Sequence, residues 1–147
     1  MAEFDEHVVV HHYGIDLGGD FGRILFLECS GITSETEPIE HKVVTPDGRE
    51  MIQMIPGRTK WQPITLKAGL TKTPALWNWR KLVIDGKVNQ ARKDGSLIMF
   101  DQEGKEIVRY NFERAWPTKV TGPGAKAAGS EVAVEEMTIV FEHIERK

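Results

Sequence analysis

At 147 residues the chain is long enough for about one domain and too short for the two closing lobes of an actin-like kinase. Hydrophobic residues make up 40% and charged residues 28%, the balance of an ordinary folded, soluble domain. A net charge of −3 argues against a dedicated nucleic-acid binder, which would present a basic face, and a lone cysteine excludes an intramolecular disulfide.

The start, MAEFDEHVVVHH, lacks a basic region followed by an apolar core, and no stretch approaches ~18 consecutive apolar residues. Neither signal-peptide export nor a membrane-spanning helix is expected. Cys29, in the apolar run ILFLECS, is expected as a buried thiol in a reducing cytosol.

Most of the sequence reads as short strands separated by turns. Residues 7–17 and 22–29 flank Gly18-Gly19 in the stretch YGIDLGGDFGR. An apolar strand ending in Asp16 before a glycine pair is how sugar kinases and actin-like ATPases open a phosphate-binding hairpin. The same pattern is what a tight hairpin turn needs, because glycine reaches positive φ without steric cost. The missing second lobe decides for the turn, so no nucleotide is expected at Asp16, Gly18 or Gly19. In the second strand Ile24-Leu25-Phe26-Leu27 is apolar on both faces and is expected to be covered on both sides.

Residues 43–61 form an excursion with a strong turn signal, Pro46-Asp47-Gly48, followed by Met51, Ile52, Met54 and Ile55. Those side chains either make an adaptable contact surface or fold back on their own domain. Residues 61–68 are a further strand. A helix follows: Thr73 caps it, Pro74 suits its first turn and Asp85-Gly86 marks its exit. At ~100° per residue Ala75, Leu76, Trp79, Leu82 and Val83 fall within an arc of roughly 120°, with Trp77 on the opposite side. Trp77 is then either a subunit contact or a residue covered by a neighbouring loop.

Strands at 96–100 and 106–112 pair across the loop DQEGK, and residues 122–129, GPGAKAAG, read as a mobile loop. The last strand, 131–143, sets Ala133, Met137, Ile139 and Phe141 on one face. Its other face mixes Glu136, Thr138 and Glu142 with Val132, Val134 and Val140.

Catalytic motifs are missing: the sequence holds no Gly-x-Ser-x-Gly elbow, Walker loop, HExxH or CxxC. His7, His11 and His12 are close in sequence, but on a strand His11 and His12 point to opposite faces, and no Cys or carboxylate stands at ligand spacing. No metal site is expected. Trp77, Trp79, Arg80 and Lys81 have the composition of a base-stacking platform. Since Trp79 belongs to the core stripe, they read instead as a solvated basic edge beside a buried tryptophan.

Over residues 24–144 the segments FLECSGI, ETEPIEH, IPGRTKWQPITLKAGLT, LWNWRK and GSLIMFDQEGKEIVRYNFERAWPTKVTGP, then GSEVAVEEMTIVFE, carry a resemblance. The chain resembles the tail-tube family of contractile phages and phage-like contractile injection systems. The run Leu76 to Arg80 followed by Asn111 to Pro117 is its most specific part. Cys29 stands where the family more often has a β-branched residue, and the histidine-rich start is less typical.

The resemblance implies a mainly β (α+β) chain: an antiparallel β-sandwich or barrel-like tail-tube fold with one flanking α-helix and an extended hairpin loop. It implies a single domain over residues 1–147 and no enzyme, with neither cofactor nor metal. The implied partners are copies of itself in stacked homohexameric rings, a surrounding sheath, baseplate and cap proteins, and a DNA or protein payload in the lumen. Membrane and sequence-specific nucleic acid are not among them. Assembly is expected in the cytoplasm, within a phage tail or phage-like injection particle. Met51, Ile52, Met54, Ile55 and Trp77 are the expected subunit interface. The alternatives are a tube-initiator or baseplate subunit of the same fold, or a small nucleotide-binding module.

Overall fold

A computed structural model describes residues 8–18, 22–69, 74–122 and 133–147. Within them the elements are β1 His12–Asp16, β2 Arg23–Phe26, β3 Glu28–Ser30, β4 Ser34–Val44, β5 Glu50–Trp61, β6 Ile64–Gly69, α1 Ala75–Ile84, α2 Val88–Ala91, β7 Lys93–Phe100, β8 Glu106–Thr121, β9 Val134–Val140 and β10 His143–Arg146. The strands pair antiparallel in the order β2-β1-β7-β8-β9-β6-β3, β10 adds to β8, and β4 and β5 pair only with each other.

The two ends of that path, β2 and β3, are consecutive in the chain. Only Leu27 separates them, and its N–H donates to the Lys67 carbonyl at 2.7 Å. One bent segment thus belongs to two sheets and closes the path into a barrel-like sandwich. The opposite corner is β8, whose first part pairs with β7 and whose second part pairs with β9. Arg114, at the change-over, takes φ 54°, the left-handed region. Its N–H donates to Asp94 Oδ1 at 2.9 Å, and its guanidinium meets Glu142 at 2.8 Å.

The core lies between the sheets: Ile15, Phe26, Leu97 and Phe112 from one, Ile64, Leu66, Met137 and Ile139 from the other, with Leu76 and Trp79 of α1 laid against them. Trp79 is fully buried, and its indole N–H donates to the Ala91 carbonyl at 2.7 Å, which ties α2 to α1. α2 has no counterpart in the sequence reading. The exit of α1 is as expected: Gly86 at φ 79° donates to the Val83 carbonyl and Lys87 to that of Leu82, satisfying the last carbonyls. Pro74 stands just before the helix, and Thr73 lies outside the described residues.

The loop DQEGK behaves as read. Asp101 Oδ1 accepts from the N–H groups of Glu103 and Lys105, both at 2.9 Å, and Gly104 takes φ 80°. Several details differ from expectation. Leu25 and Leu27 are exposed, because the corner strand has its core on one side only. Ala133 is exposed and Phe141 half-buried, whereas Glu135 occupies the inward face beside Met137. His11 precedes β1, so strand alternation does not separate it from His12, and their Nδ1 atoms lie 3.0 Å apart. Cys29 is partly buried, and burial pushes its thiol up to about 12. The loop 122–129 falls almost wholly outside the described residues.

Candidate assembly surfaces

The excursion is longer than its turn signal suggested. Residues 34–44 are strand as well, and β4 and β5 form an arm whose register runs from Ser34 opposite Trp61 to Val44 opposite Glu50. At its tip Gly48, at φ 80°, donates to the Thr45 carbonyl at 2.9 Å. Nearly every side chain along both strands is exposed. Pro38 faces Pro56 near the root, tolerated because each strand has a free edge there, and this also leaves those edges poor templates for a further strand.

Alternation along the strands divides the four expected contact residues. Met51 and Ile55 share one face with Ile39, His41, Val43 and Gln53. Ile52 and Met54 share the other with Glu40, Lys42, Val44 and Glu50. Met51, Ile52 and Met54 are 54–58% exposed and Ile55 38%. Ile39 and Val44, also exposed, escaped the sequence reading, although the β-branched residues in EPIEHKVV were a signal for them.

Trp77 stands apart from the arm, on the outer face of α1, and is 45% exposed. Seven positions on, Ile84 returns to the same side and is also exposed. Lys81 lies between them and Arg80 beside them, and ALWNWRKLVI has no acidic residue. This basic, aromatic face belongs to a chain that is acidic overall.

The root of the arm is held by Trp61, packed against the core with its ring edge-on to His143 at 5.1 Å. Its indole N–H is buried and has no hydrogen-bond partner among the described residues. Elsewhere the polar groups are engaged locally. Asp16 accepts from the Gly18 N–H at 3.0 Å and lies 3.8 Å from Arg23. Gly18, at φ 65°, turns the chain as the hairpin reading expects. On the outer face of the β1–β7 sheet, Phe100 stacks on His12 and carries the Arg23 guanidinium 5.3 Å from its ring centre. Arg109 holds the Glu106 carboxyl below the usual carboxylate range through their hydrogen bond. Among the described residues no three His, Cys, Asp or Glu side chains gather as a metal ion would need, and no helix is long and apolar enough to cross a membrane.

This arrangement of a closed barrel, a flanking helix and a projecting arm is a known one. The fold matches the anti-feeding prophage tube-terminating cap at 23% identity with a TM-score of 0.77, covering 100% of this chain and 95% of that one. It matches a chain of the PVC sheath-tube complex of an extracellular contractile injection system at 24% and 0.75, covering 96% and 91%. Hcp1 from Flavobacterium johnsoniae matches at 14% and 0.53, covering 92% and 94%. No curated protein matches the chain. The family model of the T4-like virus tail tube protein gp19 matches residues 9–145, and the chain belongs to that family.

Proposed function

We propose that the chain is a structural subunit of the inner tube of a contractile phage tail or a phage-like contractile injection particle. Residues 1–147 act as one tail-tube domain. Six copies close into a ring, rings stack, and the lumen is a conduit for a DNA or protein payload. A sheath surrounds the tube, and baseplate and cap proteins meet its ends.

The observation that carries this reading is the arm. Among the described residues no fully buried core member comes from β4 or β5, with Trp61 at the root packing against the core from its edge, and the arm holds Ile39, Val44, Met51, Ile52 and Met54 more than half exposed in one monomer. A repeated contact with other copies removes that surface from water. Burial is worth about 25 cal/mol per Å² of apolar area before the costs of association. Trp77 supplies a second contact on the same argument.

Electron microscopy of the purified chain, with native mass spectrometry, tests the proposal. Six-fold rings that lengthen into tubes are expected. Rings that never lengthen place the chain at a tube end, and a monomer at every concentration tried overturns the reading.

A further inference from the structure

The outer face of the β1–β7 sheet carries a small apolar layer of its own. Ile98 and Phe100 are buried there, outside the main core, opposite Gly14 and His12 in the register. Phe100 lies across Gly14, where a Cβ would stand 2.8 Å from Cε2 of its ring. The His12 imidazole stacks on that ring, with 4.9 Å between centres and 14° between planes. The His11 N–H donates to the Phe100 carbonyl at 2.8 Å, and the two imidazoles meet Nδ1 to Nδ1 at 3.0 Å. The chain entering β1 is thereby fastened at Phe100.

A hydrogen bond between two Nδ1 atoms needs a proton on one and a free lone pair on the other. Two imidazolium rings offer two donors and no acceptor, and they repel. The closed pair therefore holds at most one positive charge, whereas separated imidazoles hold two, so falling pH favours separation. The surrounding charges do not relieve this. Arg23 of β2 is carried by the same Phe100 ring, and its own carboxylate partner is Asp16 at 3.8 Å. Glu106 of β8, opposite Phe100, is bonded to Arg109, which holds it below the usual carboxylate range, and Lys147 lies near it. The same end of the sheet carries Asp101 and Lys105, the carboxylate accepting from backbone N–H groups of its own loop.

We infer that His11, His12 and Phe100 form a proton-sensitive latch, closed near neutral pH, that opens on acidification, frees the chain entering β1 and bares Phe100. The latch lies within one copy of the chain and is independent of the tube reading.

Hydrogen exchange read by mass spectrometry on the full-length chain tests it, at pH 8 and pH 5.5 with correction for the intrinsic rate at each. Protection of the peptide covering residues 8–14, which includes the His11 amide, should fall about tenfold on acidification in the parent. His11→Gln can donate to His12 or accept from it without gaining charge, and His12→Phe keeps a ring on Phe100 with no proton to take up. In each variant the change should stay under about twofold. An unmoved parent peptide means that the imidazoles part without releasing the backbone, and the latch is wrong. An acid response that survives in either variant assigns it to another group and removes the histidines from the inference.

Discussion

Trp77 and Trp79 lie two positions apart on one helix, ~200° around its axis, and this separates a residue that holds the fold from one that does not. Trp79→Ala removes a fully buried indole and should cost ~3–5 kcal/mol in thermal or denaturant unfolding. A comparison with Trp61 isolates the hydrogen bond. Trp79→Phe strands the Ala91 carbonyl, a loss of about 1–3 kcal/mol beyond volume, whereas Trp61→Phe removes a donor that has no partner among the described residues. Trp61→Phe should therefore be the milder change. Glu135 is a different residue-scale case: it is 7% exposed on the inward face of β9, and burial raises its pKa. A carboxyl with a raised native pKa costs nothing while protonated in both states and destabilises as pH rises through the native value. Glu135→Gln should leave the melting temperature unchanged at acid pH, where the carboxyl is protonated in both states, and raise it at pH 8, as thermal unfolding at the two pH values would read. Trp79 was legible from helical spacing alone. Glu135 was not, because a carboxylate followed directly by another, Glu136, reads as solvent-facing until the partner strand fixes the register.

At the scale of elements, turns were the most readable feature, since their chemistry is local. Pro46-Asp47-Gly48 and DQEGK both fold as their side chains dictate. The length of β8 was hidden: Arg114 and Pro117 look like breaks, yet the strand runs on to Thr121. Proline is tolerated there because β7 pairs no further than Ala115, so the flank away from β9 asks for no N–H at Pro117. Gly95 sits where β7 is squeezed between β1 and β8. A Cβ there would stand 2.6 Å from the Asp16 carbonyl oxygen and 2.9 Å from the Phe112 ring. Gly95→Ala should cost about 1–3 kcal/mol by forcing the strands apart, measurable as a lowered denaturation midpoint. The pairing of β4 with β5 was half-seen: the spacing gave the exposed apolar residues but not the two faces, which only the register resolves.

For the whole molecule, the fold demands a buried Trp79 and the tube proposal demands a contact at Trp77. Trp77→Ala should leave unfolding within ~0.5 kcal/mol of the parent while shifting hexamer towards monomer in native mass spectrometry. Equal destabilisation by Trp77→Ala and Trp79→Ala, or an unchanged ring population, would end the assignment of that face to assembly. The barrel also sets a timetable. β4 and β5 are neighbours in sequence and sample their hairpin in about 1–10 μs, whereas Asp16 must wait for Ser96 and Ser30 for Thr65, closures of the kind that place β-rich chains in the millisecond-to-second range. The sticky arm is therefore ready while the body that carries it is still open. Refolding yield should fall as protein concentration rises, and the Ile52→Asp with Met54→Asp chain should recover much of what the parent loses to precipitation.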